Sequence, residues 1–368
     1  MQVNGTPYRC IWLEADQRSV GIIDQTKLPH SFETVTLRTL HDAIIAISDM
    51  LVRGAPLIGA TAAYGVCLGL SGLSEKNTDT CLETICASLI AARPTAVNLR
   101  WAVERMRSLL ISLPPEKRVQ AAYQEAARIC DEDVQINESI GEHGLQLIQE
   151  RYAATGDTVH ILTHCNAGWL ATVDWGTALS PIFKAQQAGI PVHVWVDETR
   201  PRNQGAHLTA WELASAGIAH HLIVDNSGGH LMQQGKVDLC IVGTDRTTCT
   251  GDVCNKIGTY LKALAAADND IPFYVALPSS TIDWTLEEGA EIPIEERDQE
   301  EVLLVSGLSE RDEMHQVQQV RIAPEQTRAA NPAFDVTPAR LVSGLITERG
   351  ICAPNKESLL SLFPEHRE

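Results

Sequence analysis

The chain has 368 residues, of which 44% are hydrophobic and 21% charged, and its formal net charge is −18. Such an acidic chain has no general attraction to nucleic acid or anionic membranes, so an anionic substrate needs a local cluster of basic groups. The ten cysteines form no C-x-x-C pair, no apolar run reaches about 18 residues, and the N-terminus has no signal-peptide pattern. We therefore expect a cytoplasmic protein with reduced thiols, no membrane segment and no metal site.

The first half of the chain predicts a small sheet followed by helices. YRCIWL and SFETVTL, within residues 8–38, have the apolar pattern of short strands around turns. From Thr39 onwards apolar residues recur at helical spacing, and the prolines of LPPE end one helix and begin the next. We predict an N-terminal domain over residues 1–153, made of a small sheet and helices.

The second half changes to short apolar runs that alternate with helix-like segments. The runs are TVHILTHC (158–165), VHVWVDE (192–198), HHLIVD (220–225), DLCIVGTD (238–245) and PFYVALP (272–278). Continuous apolar strands separated by helices are typical of a parallel sheet covered on both faces. We therefore predict an α/β fold, with a doubly wound domain over residues 154–368.

Polar residues and glycines follow the first four predicted strands, in THCNAG, DETRPRNQG, DNSGG and GTDR. Ligands of open parallel sheets bind at the carboxyl ends of the strands. This clustering is the main indication of a functional site that the residues themselves provide, although many α/β enzymes have something similar.

Cys165, in THCNAG, has several possible roles. It could be an inert buried thiol, or a reactive group beside a helix N-terminus that favours a thiolate or a bound anion. Metal ligation together with His164 is disfavoured, because neighbours on a strand point to opposite faces. We therefore expect the His164 side chain to face away from that of Cys165.

Asp245 ends the fourth predicted strand and is a candidate for proton transfer. A partly desolvated carboxyl group is suited to that role, whereas a helix cap or an ion pair with Arg246 is the alternative. Asp197 and Glu198 are weaker candidates, because the arginines that follow them offer partners in a structural network.

Three segments could bind an anion. RGAP (53–56) and Arg93 each precede a predicted helix, and Asn255 and Lys256 are predicted to open the helix after the fourth strand. Each of these residues is more often solvated or ion-paired when it occurs alone. No G-x-G-x-x-G, P-loop or H-E-x-x-H motif occurs, so we expect no nucleotide cofactor.

Several segments together resemble the 5-methylthioribose-1-phosphate isomerase family. They are VRGAPLIG (52–59), RPTAVNLRWAVERM (93–106), THCNAG (163–168), DETRPRNQGAHLTAWEL (197–213), GTDRTTCTGDVCNKIGTY (243–260) and NPAFDVTPARLVSGLITERG (331–350). They cover most of the chain in order. The family is related to regulatory subunits of the eukaryotic initiation-factor exchange complex and to ribose-1,5-bisphosphate isomerases.

The resemblance implies aldose–ketose isomerisation of a sugar 1-phosphate in methionine salvage, without a cofactor. It implies a Rossmann-like second domain and a homodimer. The family's catalytic cysteine and aspartate fall on Cys165 and Asp245. Its substrate-binding positions fall on Arg53, Gly54, Ala55, Arg93, Gln204, Asn255 and Lys256.

Some positions differ from the family pattern and leave the 5-substituent of the substrate open. GTDRTTC surrounds Asp245 with polar residues, and Asn203 and His207 stand where other residue types are expected. A 5-deoxyribose or ribose 1-phosphate is therefore an alternative substrate. A regulatory subunit would need neither Cys165 nor Asp245, and ribose 1,5-bisphosphate would need a second basic cluster, of which the sequence has no sign.

Overall fold

The computed structural model of the chain describes residues 1–72, 78–94, 96–309 and 316–367. The strands are β1 (Gln2–Val3), β2 (Thr6–Pro7), β3 (Ile11–Leu13), β4 (Val20–Ile23), β5 (Thr34–Leu37), β6 (Val159–Thr163), β7 (Val192–Asp197), β8 (Ala219–Ile223), β9 (Leu239–Val242), β10 (Arg246–Thr248), β11 (Val253–Lys256), β12 (Phe273–Ala276), β13 (Ile282–Asp283), β14 (Leu304–Leu308), β15 (Val317–Arg321), β16 (Phe334–Thr337), β17 (Gly344–Thr347) and β18 (Gly350–Cys352). The helices are α1 (Leu40–Ser48), α2 (Ala55–Ser71), α3 (Asp79–Ala92), α4 (Val97–Ile111), α5 (Pro115–Thr155), α6 (Ser180–Gln187), α7 (Ala210–Ser215), α8 (Ser227–Gln233), α9 (Thr259–Asp268), α10 (Glu300–Leu303) and α11 (Lys356–Leu362).

A parallel sheet organises the second half of the chain, as predicted. Its strand order is β8-β7-β6-β9-β12-β17-β18, and every neighbouring pair is parallel except β17 and β18. The five predicted strands are β6, β7, β8, β9 and β12. From β6 the chain proceeds outward through β7 and β8, then returns to β9 on the other side, so β6 and β9 flank the point where the strand order reverses.

The two faces of this sheet enter different parts of the core. Ile161 of β6 and Ile241 of β9 belong to the cluster that also contains the buried side chains of the N-terminal helices. Leu162 of β6 and Val242 of β9 belong to the cluster on the opposite face. Both faces are therefore covered, which explains why these strands are continuous apolar runs rather than alternating ones.

The N-terminal half consists of the antiparallel sheet β3-β4-β5 and helices α1 to α5, as the apolar pattern predicts. Thr39 and Asp42 form a capping box at the start of α1. The prolines of LPPE begin α5, which ends at the left-handed Gly156. The predicted domain boundary at 153/154 falls in the last turn of α5, and it stays a prediction.

A second sheet, of order β13-β10-β11-β16, was not predicted from the sequence. It joins residues far apart in the chain, since Asn255 of β11 pairs with Asp335 of β16. Its strands are two to four residues long and lack an alternating pattern, which leaves little signal in the sequence. Among the described residues, none of the helices is long and apolar enough to cross a membrane.

Candidate active site

A cavity lies where the segments after β6 and β9 meet, at the carboxyl ends of these strands. Cys165 and Asp245 both line it, so the structure brings the two predicted catalytic residues together. Four of the predicted binding residues line the same cavity: Arg53, Gly54, Ala55 and Asn255. The convergence follows from the topology, because β6 and β9 are hydrogen-bonded neighbours on either side of the reversal.

Cys165 is held in an unusual backbone conformation by two threonines. Its φ is +65°, in the left-handed region. Its N–H donates to Thr199 Oγ1 at 2.8 Å, and its carbonyl accepts from Thr209 Oγ1 at 2.7 Å. Burial raises the pKa of the thiol, and the charges of Arg53 and Lys256 oppose this only in part. The thiol therefore keeps its proton at neutral pH.

His164 lines the same cavity as Cys165. Its ring contacts two oxygen atoms, with Nδ1 2.8 Å from Asp197 Oδ2 and Nε2 2.8 Å from the Ile257 carbonyl. That its side chain faces away from that of Cys165 stays a prediction.

Asp197 belongs to this buried network rather than to one with the loop arginines, which is where the sequence led us to expect it. The Lys262 ammonium lies 3.2 Å from its carboxylate and also donates to the Asp225 carbonyl. Potential ligand atoms of His164, Asp197 and Asp225 lie within 4.8 Å of one another. Because Lys262 already supplies a cation there, and the Asp225 carboxylate accepts two backbone N–H groups, we interpret the cluster as a network that holds the loops.

The N-terminus of α2, where the sequence predicts anion binding, lines the cavity. Gly54 precedes this helix with φ +88°, and a Cβ atom there would lie 2.3 Å from the Ala171 carbonyl oxygen. A glycine is therefore required here, and Ala55 and Pro56, the first two residues of a long helix, line the cavity. Arg53 beside them donates to both oxygens of Asn166, at 2.6 Å to the side chain and 2.9 Å to the carbonyl.

Lys256 is not at a helix start, contrary to the sequence prediction. Asn255 and Lys256 end strand β11, and helix α9 begins only at Thr259. The Lys256 ammonium donates to the Ala333 carbonyl at 2.9 Å and lies 4.4 Å from the Phe334 ring centre. Burial lowers its pKa, while Cys165 and Asp245 oppose this change from the side of the site.

Like Lys256, the predicted binding residues Arg93 and Gln204 do not line the cavity that contains Cys165 and Asp245. Arg93 lies before α4 as expected, 3.8 Å from Glu295. It also interacts electrostatically with Asp245. Gln204 lines a second cavity of about 520 Å³, which shares Arg53 with the catalytic one. Within the described part of the chain, the side-chain oxygens of Gln204 and Asn203 are buried without a hydrogen-bond partner.

The second cavity contains features that the sequence did not bring together. His207 and Asn203, two of the positions that depart from the family pattern, line it beside Met50. Its lining also includes the basic residues Lys27, His30 and Arg202, together with Glu33 and Glu301. Arg202 is neutralised by Glu301 at 2.7 Å.

Sequence reasoning also missed residues that hold the site from behind. Asn166 and Glu212 lie within the quoted motifs. Nothing in their spacing indicates that Asn166 contacts both Glu212 and Arg53. Such contacts depend on how the segment after β6 folds back against α7, which no local pattern records.

Comparisons with known proteins show which family the chain resembles. The model of the initiation factor 2 subunit family matches residues 51–354. The methylthioribose-1-phosphate isomerase of Rhodospirillum rubrum is 60% identical over 99% of this chain and 94% of its own length. That of Sinorhizobium medicae is 61% identical over 99% of this chain and all of its own length. The crystal structure of 5-methylthioribose 1-phosphate isomerase from Pyrococcus horikoshii is 40% identical, with a TM-score of 0.83 over 98% of this chain and 96% of that one. The chain belongs to the initiation factor 2 subunit family and, within it, to the methylthioribose-1-phosphate isomerases.

Proposed function

We propose that this protein converts 5-methylthioribose 1-phosphate into 5-methylthioribulose 1-phosphate, as a step of methionine salvage. The observation that carries the proposal is the shared cavity of Cys165, Asp245, Arg53 and the α2 N-terminus. It unites two groups able to exchange protons with a site for a phosphate ester. A regulatory subunit without catalysis would have no use for this assembly.

The sizes of the cavities indicate how the substrate lies. The cavity with Cys165 and Asp245 is the smaller one, with about 30 Å³ against about 520 Å³ for the second. The phosphate and the C1–C2 unit bind in the smaller cavity, with the phosphate at Arg53, Gly54 and Ala55. The rest of the sugar extends into the second cavity, where the partnerless oxygens of Gln204 and Asn203 accept hydrogen bonds from hydroxyl groups. Lys256, Arg93 and Asn255 complete the binding site.

The phosphate on the anomeric oxygen prevents simple ring opening, so the reaction needs an acid. Asp245 gives a proton to the ring oxygen, and the electron pair of the C1–O bond stays with that oxygen. The C2 hydrogen then moves with its electron pair to C1, and the proton of the 2-hydroxyl returns to Asp245 as C2 becomes a carbonyl carbon. Cys165 keeps its proton beside C1–C2 and stabilises the developing charge.

The alternative is a route in which Cys165 takes the C2 hydrogen as a proton. The raised pKa of its thiol argues against that role, because a protonated thiol is not a base. Substrate carrying deuterium at C2 distinguishes the two routes in an NMR experiment. Deuterium retained at C1 agrees with the hydride shift, whereas loss of deuterium to water would establish a base that exchanges with solvent.

Substrate identity is tested with pure protein and four sugar phosphates: the 5-methylthio-, 5-deoxy- and unsubstituted ribose 1-phosphates and ribose 1,5-bisphosphate. We expect the highest kcat/KM with the 5-methylthio compound. A preference for 5-deoxyribose 1-phosphate would replace the substrate but keep the chemistry, and no conversion of any compound would exclude the isomerase. The homodimer and the cytoplasmic location remain proposals, tested by analytical ultracentrifugation and by cell fractionation.

A further inference from the structure

We propose that Glu212 is a positioning residue of this enzyme. Its carboxylate sets the orientation of the Asn166 side chain and, through Asn166, that of the Arg53 guanidinium that binds the phosphate of the substrate. Glu212 lies on α7, behind the segment that carries Cys165, and does not line the catalytic cavity itself. The inference rests on the proposed function only in taking the anion bound by Arg53 to be a sugar phosphate.

The contacts of Glu212 are all with hydrogen-bond donors. Its Oε1 accepts from Asn166 Nδ2 at 2.8 Å and from the Leu170 N–H at 3.2 Å, and its Oε2 accepts from the Trp169 N–H at 2.8 Å. The residue is only 1% exposed. A carboxylate satisfies these three donors, whereas a carboxylic acid would direct its own hydrogen against one of them.

The same contacts determine which way the Asn166 amide points. Its nitrogen faces Glu212, so its oxygen is left for Arg53 Nη1, at 2.6 Å. Since the Asn166 carbonyl accepts from Arg53 Nη2 at 2.9 Å, the guanidinium is held by two bonds from one residue. Gly168 marks how closely Glu212 fits, because a Cβ atom there would lie 1.9 Å from Oε2.

This arrangement makes phosphate binding sensitive to pH. Burial raises the pKa of Glu212 to about 7, and the bonds from Asn166, Leu170 and Trp169 and the charge of Arg53 oppose this. The other charged or titratable groups nearby are the Cys10 thiol and Asp174, which is paired with the N-terminal ammonium at 2.7 Å. The contacts from Glu212 through Asn166 to Arg53, which we call the relay, need the ionised form of Glu212. Phosphate affinity should therefore fall as the pH drops below about 7.

Three variants test the relay: Glu212→Gln, Asn166→Asp and the combination of both. In Glu212→Gln one of the three N–H donors around the side chain would face the amide NH₂ group instead of an acceptor. We therefore expect KM for 5-methylthioribose 1-phosphate and Kd for inorganic phosphate to rise about tenfold or more, as for loss of a charged hydrogen bond. The change in kcat should be smaller, and the loss of affinity towards acidic pH should shrink to the part that protonation of the phosphate itself causes. Asn166→Asp sets two carboxyl groups against each other and should weaken binding further.

The double variant reverses the polarity of the relay. The carboxylate introduced at position 166 would accept from Arg53 and from the new amide at position 212, so phosphate binding should recover at least about tenfold over Asn166→Asp alone. The matched control is Glu125→Gln, which removes a buried glutamate paired with Arg105 at 2.7 Å, outside the site. Thermal unfolding of each variant separates loss of fold from loss of binding.

Two outcomes would overturn the relay: an unchanged KM, phosphate Kd and pH profile in folded Glu212→Gln, or a double variant that binds phosphate no better than Asn166→Asp. Failure of the proposed function looks different. Wild-type protein would then fail to convert 5-methylthioribose 1-phosphate, while its binding of inorganic phosphate would still report on Glu212.

Discussion

Cys165 has a left-handed backbone, which costs free energy. A residue other than glycine held at positive φ costs roughly 1–3 kcal/mol, and it persists only where its surroundings impose it. Here Thr199 and Thr209 bond to its N–H and carbonyl, which fixes the direction of the thiol. A structural cysteine would be buried as well but would not need the left-handed backbone, so this backbone geometry supports a role in the reaction.

The first prediction concerns that thiol. Cys165→Ser should lower kcat/KM by roughly a hundredfold or more, since in the proposed mechanism it removes the group beside C1–C2, while phosphate binding and the melting temperature change little. Cys130→Ser is the control, because Cys130 is also buried but lies on α5. It should lower stability and leave kcat/KM intact. Near-normal turnover of Cys165→Ser would exclude a catalytic role for this residue.

The second prediction concerns Gly54. Gly54→Ala should destabilise the protein by about 1–3 kcal/mol and raise KM, because the added methyl group meets the Ala171 carbonyl and displaces the α2 N-terminus. Gly156→Ala is the matched control, with a φ of +71° and no atom within 4 Å of the added Cβ. It should cost stability through backbone strain and leave KM unchanged. Urea unfolding and steady-state kinetics give both quantities, and an equal KM in the two variants would contradict the assignment.

At the scale of elements, α5 supports the loop that follows β6. Asp133 of this helix accepts a hydrogen bond from the Val173 N–H at 2.7 Å. Burial raises its pKa to about 7, well above the usual value of 3.8, and the bonds from Val173 and Asn137 oppose this. An acid whose pKa is raised by folding binds more protons in the folded state. Its contribution to stability is therefore present below about pH 4 and is lost as the pH rises towards about 7.

The third prediction follows from that sign. Asp133→Asn keeps an acceptor for Val173 but cannot ionise, so the variant should gain stability relative to wild type as the pH is raised from about 5 to about 8. Urea unfolding at both pH values measures the change. Asp131→Asn is the control on the same helix, since Asp131 is exposed and paired with Arg9, and it should change stability by less than about 1 kcal/mol. A parallel pH dependence of wild type and Asp133→Asn would show that Asp133 does not titrate in this range.

Elements also decide how much of the site the sequence could predict. Cys165 and Asp245 could be predicted from the sequence, because the apolar runs show which strands end in polar residues. The sheet topology then brings the ends of these strands together. Lys256 was misplaced, because NKIGTY resembles a helix start while VCNK has no strand periodicity. What holds it in place is pairing with β16, about 80 residues further along the chain. Pairing over such a distance leaves no local pattern.

At the scale of the whole molecule, this acidic chain brings basic side chains together around Cys165. The net charge is −18, yet the charges of Arg53 and Lys256 act together on Cys165. The composition predicts that an anionic substrate requires such a cluster, but not which of the 29 lysines and arginines form it. Their convergence depends on the meeting of α2, β6 and β11, and so on the complete fold.

The hydrophobic core runs across the predicted domain boundary. One cluster contains Leu99 of α4 together with Ile161 of β6 and Ile346 of β17, so residues from both halves share it. Leu345, adjacent to Ile346 on β17, belongs to the cluster on the other face. Because successive residues of one strand enter the two clusters, loss of packing in either half disturbs the same sheet.

The last prediction is that the two halves unfold together. Leu99→Ala and Leu345→Ala each remove a fully buried side chain and should cost about 2–5 kcal/mol. Both should shift the same single transition, when far-ultraviolet circular dichroism and tryptophan fluorescence are followed in urea. If residues 1–153 and 154–368 were independent units, each substitution would move only one of two transitions and the two signals would separate. Coincident curves in both variants would instead mean that the helical half and the sheet stabilise the catalytic cavity as one cooperative unit.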